Sequence, residues 1–301
     1  MIDLHTHTTA SDGRCAPAEL VARAVAAGVT VIAVTDHDTV SGCAAAATAC
    51  AAAGIAFVPG IEITAVGDDD VGGSDVDVHM LGYFISLASP ALETFLAEQR
   101  RRRIDRVREV AARLAALGMR LDVDAILQPA IQDARKSAGR PWIARAMVAA
   151  GYVATSDEAF DRWLARGRAA FVPRSGASPT EVISRVHDAK GICSLAHPGL
   201  LESGTRPGSG TGTGPLIGRL VSDGLDAIEA YHSEHDDAVT ARYLAMALEM
   251  GVAVSGGSDF HGDPSHGPGR PGAVSLPRAA YDELVRRATI RATASGASTS
   301  S

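Results

Sequence analysis

Two segments decide the fold: MIDLHTH at residues 1–7 and VIAVTDH at residues 31–37. Each contains a short apolar run, which predicts a buried strand, and each ends on histidine. A helical pattern, Pro17–Ala27, lies between them. Continuous apolar strands that alternate with helices predict an α/β fold with a parallel sheet covered by helices.

The same alternation continues along the chain. Further helices are predicted at Cys43–Ala53, Pro179–Ala189 and Asp236–Met250. The predicted strands are Ile2–His5, Val29–Thr35, Ala56–Ile63, Val78–Phe84, Ile192–Ala196, Ala227–Tyr231 and Val252–Ser255. Seven strands of this kind predict a β/α barrel with one strand fewer than the usual eight.

Residues 89–174 break the alternation. Apolar side chains recur there at helical spacing, and further helices are predicted at Pro141–Ala150 and Ser156–Arg166. We therefore predict a helical insertion at 89–174 within a discontinuous barrel of residues 1–88 and 175–290. The small polar residues of 291–301 predict a disordered tail.

Charge is distributed unevenly over the 301 residues. The net charge is −7, which argues against a protein that coats nucleic acid. Residues 89–175 nevertheless contain 16 basic and 10 acidic residues, a net charge of +6, so the rest of the chain carries −13. An acidic body suits cations, and a basic segment suits an anionic ligand that approaches them.

The four cysteines include no C-x-x-C pair, which predicts reduced thiols in a cytoplasmic protein. We expect no signal peptide, because the first strand begins at Ile2. The uncharged residues 39–61 are rich in alanine and are interrupted by Gly54, Pro59 and Gly60. They predict a close-packed helix and a strand, and no membrane span is expected.

Histidines and carboxylates recur at the predicted ends of strands, where α/β barrels carry their active sites. The candidate ligands are His5, His7, Asp12, His37, Glu62, His79, His197, Asp259 and His261. Residues two apart in a strand point the same way, so a pair such as His5 and His7 can address one ion. Imidazole and carboxylate groups favour Zn²⁺, Mn²⁺ or Fe²⁺ over Ca²⁺, and nine ligands exceed one tetrahedral site.

Each motif alone has an ordinary explanation. A single His-x-His is often a surface pair, and a histidine before proline, such as His197, is often a hydrogen-bonded turn residue. Six of the ten histidines, however, fall within these strand-end motifs. The joint pattern therefore indicates a cluster of divalent cations.

Taken together, the motifs resemble those of the polymerase-and-histidinol-phosphatase (PHP) family. They are DLHTH at 3–7, TDHD at 35–38, GIE at 60–62, His79, AHPG at 196–199 and GSDFHG at 257–262. The resemblance extends over nearly all of residues 1–265. It implies a distorted seven-stranded β/α (TIM-like) barrel as the catalytic domain and a metal-dependent phosphoesterase activity.

The resemblance also implies three metal positions. The first uses His5, His7, Glu62 and Asp259; the second shares Glu62 and adds His79 and His197; the third uses Asp12, His37 and His261. We expect Glu62, Asp259 and His197 to be catalytic. Two to three divalent ions are implied, with Mn²⁺ expected and Zn²⁺ or Fe²⁺ as alternatives.

Within the family, the chain is most similar to phosphoesterases that remove the 3′-phosphate of nucleoside 3′,5′-bisphosphates. We predict that metal-activated water attacks such a nucleotide. Arg140 and Arg174 are candidate phosphate ligands, because a guanidinium matches phosphate oxygens; an ordinary surface ion pair is the alternative. His235 is a further candidate contact. Trp142 follows Gly-Arg-Pro where the family usually has histidine, which bears on substrate preference.

Other functions remain open at this point. Within the family, the alternatives are a histidinol-phosphate phosphatase and a 5′–3′ exoribonuclease on short RNA. Outside it, they are an amidohydrolase and a non-catalytic metal-binding or nucleic-acid module. The expected partner is a small phosphorylated substrate or short RNA, with no obligate protein partner and no membrane.

Overall fold

One seven-stranded sheet runs through the described residues, which are 1–67, 76–203, 213–263 and 267–297 of this computed structural model. The strands are β1 (Ile2–Asp3), β2 (Val31–Val34), β3 (Ala56–Val66), β4 (Asp77–Tyr83), β5 (Ile192–Leu195), β6 (Ala227–Tyr231) and β7 (Ala253–Gly256). They lie side by side in chain order. β2 and β5 are buried along their whole length, as their apolar sequences predict.

The two edges of the sheet meet just beyond β1 and β7. Thr6 and Phe260 form a parallel bridge, and the Asp259 amide donates a hydrogen bond to the His5 carbonyl at 2.8 Å. A Cβ atom on Gly257 would lie 2.3 Å from the His5 nitrogen, so this close approach requires glycine. The sheet is therefore nearly closed, and the predicted distorted seven-stranded β/α barrel is confirmed.

The prediction of a fully parallel sheet is wrong for β4. β4 runs antiparallel to both β3 and β5, whereas the remaining neighbours are parallel. The connection between β3 and β4 is too short for the crossover helix that parallel neighbours require. Because β4 is reversed, His79 near its beginning lies at the same edge as the ends of the other strands.

Helices pack around the barrel and form the insertion. The insertion contains α3 (Pro90–Ala116), α4 (Val123–Gln132), α5 (Arg140–Ala149) and α6 (Ser156–Ala159), which continues into a π-helical turn at Phe160–Leu164. The other helices are α1 (Pro17–Ala26), α2 (Cys43–Ala53), α7 (Pro179–Asp188), α8 (Pro198–Ser203), α9 (Gly214–Ser222), α10 (Asp237–Met250) and α11 (Arg278–Ala297). In the part of the chain that the structure describes, no helix combines the length and apolar character needed to cross a bilayer.

Side-chain caps fix the starts of several helices. The Ser89 hydroxyl accepts from the Leu92 amide at the start of α3, and the Asp236 carboxylate accepts from Val239 at 2.8 Å before α10. Such caps each stabilise a helix by about 1 kcal/mol. The insertion has an apolar core of its own, formed by residues such as Val110, Leu114 and Ile143. The boundaries 89–174 nevertheless remain a prediction.

Helix α11 covers the barrel at the end opposite the histidines. Leu284 is fully buried there and packs in one apolar cluster with Ile2 and Tyr83. The helix continues to Ala297, so the predicted disordered tail is corrected for 291–297; residues 298–301 lie outside the described part. Arg291 anchors this extension through a contact of 2.6 Å between its Nη2 and Asp226 Oδ1.

Candidate metal centre

The carboxylate of Glu62, in the middle of β3, lies at the centre of the candidate site. Its side chain is 1% exposed. Within the described residues, five histidines place a ring nitrogen 2.8–3.4 Å from one of its oxygens: His5, His7, His37, His79 and His197. A single hydrogen-bonded pair does not need so many imidazoles, whereas ions that share one bridging carboxylate do.

Four donor atoms form a compact group on one side of Glu62. His5 Nε2 lies 3.4 Å from Glu62 Oε2 and 3.2 Å from Asp259 Oδ1. His7 Nε2 lies 3.3 and 3.1 Å from the same two oxygens. Tetrahedral ligands at about 2.0–2.1 Å from an ion lie roughly 3.3 Å apart. The structure thus brings together the four residues of the first predicted position at metal-binding distances; their role as ligands stays a prediction.

The other Glu62 oxygen faces a second group. Its Oε1 lies 2.8 Å from His79 Nδ1 and 3.2 Å from His197 Nε2. These are the three residues of the second predicted position. Because Glu62 turns one oxygen to each group, it has the geometry of a bridging carboxylate.

A third group surrounds Asp12. Asp12 Oδ1 lies 3.4 Å from His261 Nε2, and Asp12 Oδ2 lies 3.6 Å from His37 Nε2. His7 also approaches, with Nδ1 at 3.7 Å from Asp12 Oδ1. The potential ligand atoms of these four residues all lie within 4.8 Å of one another. The contacts are looser than those of the first group, so this position depends more on how the Asp12 loop is held.

Several buried nitrogen and oxygen atoms that could bind a metal have no hydrogen-bond partner within the described ranges. They are His5 Nε2, both ring nitrogens of His7, His37 Nδ1, His197 Nδ1 and Asp259 Oδ1. An unmatched buried polar atom costs about 1–3 kcal/mol, so such atoms are rare unless an ion or water binds them. Their lone pairs and the mixed imidazole–carboxylate set fit divalent transition-metal ions.

The carboxylates of the site are held in their charged form. Burial raises the pKa of Glu62, but His37 and the neighbouring histidines outweigh burial and hold the pKa well below its usual range. The pKa values of Asp12 and Asp259 are lowered in the same way, against the effect of burial, by adjacent imidazoles. Ionised carboxylates are the form that binds a cation.

Glu229, which was not among the predicted site residues, holds two of the histidines through hydrogen bonds. Its Oε1 lies 2.9 Å from His5 Nδ1, and its Oε2 accepts from the His197 backbone amide at 2.7 Å. The bond to Nδ1 leaves His5 Nε2 facing the first group. The available signal was a single acidic residue inside the buried strand Ala227–Tyr231.

His232, which is not among the predicted ligands, also lies at the site. Its Nδ1 accepts a hydrogen bond from the Glu234 amide at 3.1 Å, so the proton is on Nε2. That Nε2 lies 3.4 Å from Asp259 Oδ2. The imidazole therefore holds one Asp259 oxygen and leaves the other for the first group.

The backbone is left-handed at three non-glycine residues of the site motifs: Asp38 (φ 51°), His197 (φ 24°) and Asp259 (φ 55°). Such conformations cost about 1–3 kcal/mol each and persist where their surroundings hold them. Asp38 Oδ1 accepts from the Thr64 amide at 3.1 Å, and Arg103 from α3 binds its other oxygen. A helix of the insertion thus fixes the loop that carries His37.

Arg140 and Arg174 lie together against Asp77, at the start of β4. Arg140 Nη2 donates to Asp77 Oδ2 at 3.1 Å, and Arg174 Nε donates to Oδ1 at 3.3 Å. Arg106, which was not predicted, brings its Nη1 to 3.6 Å from the same carboxylate. The Arg174 side chain is 11% exposed and that of Arg106 is 8% exposed. These residues are therefore not an ordinary surface ion pair.

The prediction that His235 contacts the substrate is corrected. Its Nδ1 donates to the Ala230 carbonyl at 3.0 Å, and its Nε2 accepts from the Gly199 amide at 3.2 Å. Both ring nitrogens are thus used by the backbone. His235 joins the end of β6 to the start of α8 and has no ring nitrogen left for a substrate.

Comparison with known proteins agrees with this geometry. The PHP domain model matches residues 3–133. The 5′-3′ exoribonuclease Rnm of Salmonella typhimurium is 33% identical over 86% of this chain and 84% of its own length. The chain belongs to the PHP family. This membership confirms the resemblance inferred from the strand-end motifs.

Two further relatives extend the comparison. The 3′,5′-nucleoside bisphosphate phosphatase of Chromobacterium violaceum is 32% identical over 86% of this chain and 87% of that protein. The crystal structure of a candidate metal-dependent phosphoesterase from Bifidobacterium adolescentis superposes with a TM-score of 0.83, 31% identity and 95% coverage of both chains. The PHP protein described here is a metal-dependent phosphoesterase, which disfavours the non-catalytic alternative.

Proposed function

We propose that this PHP phosphoesterase hydrolyses the 3′-phosphate of a nucleoside 3′,5′-bisphosphate by direct attack of water. The observation that carries the proposal is the arginine group of Arg106, Arg140 and Arg174, a buried cationic site beside the histidine cluster. The names of the bisphosphate phosphatase and exoribonuclease relatives support a phosphorylated small molecule or RNA as the substrate class.

The arginine group carries more positive charge than its surroundings neutralise. Three guanidinium groups face the carboxylate of Asp77. Arg174 also lies 4.0 Å from Asp38, but Arg103 already binds that carboxylate. Burial, together with the neighbouring arginines, lowers the pKa of Arg106 to about 9. Its Nη2 is buried and has no hydrogen-bond partner among the described residues. A buried cationic surplus with an unused donor is suited to an anion such as phosphate.

The position of this group fits a substrate with two phosphates. Asp77 and His79 are two residues apart on β4 and therefore lie on the same face of the strand. Asp38 links the two regions, because it follows His37 in the chain and its Oδ2 lies 4.0 Å from Arg174 Nη1. One phosphate would contact the arginines while the other lies at the histidine cluster.

The reaction needs no nucleophile from the protein. The water oxygen bonds to phosphorus, the bond from phosphorus to the 3′ oxygen breaks, and that oxygen leaves with a proton. Divalent ions, when bound, supply an acidified water and positive charge against the phosphoryl oxygens. We assign Glu62, Asp259 and His197 to holding those ions, while Glu229 and His232 keep His5 and Asp259 in place.

The test compares adenosine 3′,5′-bisphosphate with adenosine 3′-monophosphate. Arg140→Ala and Arg174→Ala should lower kcat/KM for the bisphosphate by about 10- to 100-fold, or ~1.5–3 kcal/mol, because one charge-assisted contact is lost. The monophosphate should be much less affected. Arg162→Ala is the matched control, since Arg162 lies in the same insertion but is paired with Glu158 on the surface.

Three outcomes would contradict the proposal. Equal losses on both substrates would show that these arginines do not bind the second phosphate. Release of the 5′-phosphate would reverse the assigned orientation. Faster hydrolysis of histidinol phosphate than of any nucleotide would overturn the nucleotide assignment itself.

Short RNA is the second candidate substrate, because the arginine group would also accept the 5′-phosphate of an oligonucleotide. Three relatives that are named 5′-3′ exoribonucleases support it, and the Rnm protein of Salmonella typhimurium is one of them. A 5′-phosphorylated trinucleotide and its unphosphorylated form separate the candidates. A higher kcat/KM for the phosphorylated trinucleotide than for the bisphosphate would make RNA the preferred substrate.

A further inference from the structure

The insertion contacts the Asp12 loop through two donors on α5. Trp142 Nε1–H donates to the Ser11 carbonyl at 2.8 Å, and Arg145 Nη1–H donates to the Asp12 carbonyl at 3.0 Å. Trp142 is 8% exposed. Two consecutive carbonyls of a barrel loop therefore depend on side chains that lie more than 130 positions further along the chain.

The barrel itself holds this loop through other atoms. The Ser11 hydroxyl donates to Asp36 Oδ1 at 2.7 Å, and the Ser11 amide donates to the Thr8 carbonyl at 3.1 Å. Neither bond involves the Asp12 backbone. The insertion adds a third contact through the Ser137 amide, which donates to the Ala10 carbonyl at 2.9 Å. The barrel also bonds on both sides of this stretch, since the Thr9 amide donates to the Cys15 carbonyl at 2.9 Å and the Arg14 amide donates to the His261 carbonyl at 2.7 Å. The Ser11 and Asp12 carbonyls themselves are bound from the insertion.

We propose that Trp142 and Arg145 are positioning residues that hold Asp12 for the third metal position. The inference rests on the proposed ligand set, in which Asp12, His37 and His261 form that position. The distances around Asp12 are 3.4–3.7 Å, longer than those of the first group, so a small shift of its loop would separate its oxygens from the imidazoles. The indole N–H of Trp142 thereby has a specific role in holding this loop.

The test is Trp142→Phe, which keeps an aromatic ring and removes the N–H donor together with part of the buried indole. Mn²⁺ bound per chain is measured by equilibrium dialysis with elemental analysis. The weakest of three binding steps should lose about 10-fold or more in affinity, as expected when the partner of a metal ligand is removed, and the others should not change. Arg145→Met, which keeps the aliphatic stem, should act on the same step.

The matched control is Trp163→Phe, the same change at the other tryptophan of the chain. Trp163 lies in the insertion, and its Nε1 has no hydrogen-bond partner among the described residues. This variant should bind Mn²⁺ like the unmodified protein. The metal-free forms of both variants should unfold at similar temperatures, because a positioning role is not a folding role.

Two results would overturn the inference. The first is an equal weakening of all binding steps together with a lower unfolding temperature of metal-free Trp142→Phe, which would mean a structural role. The second is a wild-type protein that binds at most two Mn²⁺, which would remove the third position. Because no substrate is used, a failed bisphosphate assignment would leave these measurements unaffected.

Discussion

Glu62 combines two properties that rarely occur in one side chain: it is almost completely buried, and each of its oxygens faces a different group of imidazoles. Burial of an unpaired carboxylate is costly, so the charge needs cationic partners on both sides. An ion in each group would provide them. Loss of this one charge should therefore affect two positions together.

Glu62→Gln keeps the shape of the side chain and removes its charge. We expect it to lose nearly all kcat, by more than about 100-fold, because the cost of losing a bridging ligand should exceed the 10- to 100-fold typical of an outer partner. Glu229→Gln removes such an outer partner of His5. It should weaken metal affinity by about 10- to 100-fold, and excess Mn²⁺ should restore its kcat.

The measurement is kcat as a function of Mn²⁺ concentration for both variants and the unmodified protein. Circular dichroism of each variant controls for folding. Near-normal activity of Glu62→Gln at saturating Mn²⁺ would refute its assignment as a ligand. Failure of excess Mn²⁺ to rescue Glu229→Gln would assign Glu229 a direct part in the reaction.

At the residue scale, the sequence predicted the site residues that lie at strand ends. It did not predict the residues that hold those side chains in place. His5 and His7 were identifiable because two histidines in strand spacing follow an apolar run. Glu229 and Asp77 form no such pair, and their roles depend on partners far away in the chain. His235 carried the right residue type, but backbone partners use both of its nitrogens.

At the scale of elements, the strand positions were predictable and the direction of β4 was not anticipated. Apolar runs locate strands, but direction depends on the connection. The segment between β3 and β4 lacks a helical pattern, which was the available signal for an antiparallel pair. The extension of α11 to Ala297 was also missed. The small polar residues of the tail indicated disorder, and the sequence does not show the contact that Arg291 makes with Asp226.

Helix α11 packs at the opposite end of the barrel from the histidines. A substitution in this helix should therefore change the stability of the protein without changing its catalytic rate. Leu284→Ala should lower the free energy of unfolding by about 2–5 kcal/mol, since it leaves a cavity in a fully buried cluster. The kcat of the folded enzyme should not change. Urea denaturation and kcat below the unfolding transition measure the two effects.

Leu248→Ala is the control for this prediction, because Leu248 lies on α10 with 84% of its surface exposed. It should change the free energy of unfolding by less than about 0.5 kcal/mol. A small effect of Leu284→Ala would show that α11 adds little to the barrel. A large loss of kcat in the folded variant would show that the two ends are coupled.

At the scale of the whole molecule, the proposed ligands span the chain from His5 to His261 and come from strands or loops all around the barrel. The insertion joins the same region through Arg103 and Trp142. Bound ions would thus add connections between segments that packing, backbone pairing and side-chain hydrogen bonds already hold together. The carboxylates Asp12, Glu62 and Asp259 also repel one another until cations lie between them.

We therefore expect Mn²⁺ to raise the unfolding temperature of the chelator-treated protein. An ion that binds only the folded state stabilises it by about 2.7 kcal/mol at 100 times its Kd, which corresponds to a shift of roughly 4 °C for a chain of 301 residues. Mg²⁺ should produce a much smaller shift, because imidazole ligands suit it poorly. In Glu62→Gln the Mn²⁺ shift should largely disappear, since both groups that share this carboxylate are affected. An equal response to Mn²⁺ in Glu62→Gln and the unmodified protein would place the stabilising ion elsewhere on the molecule.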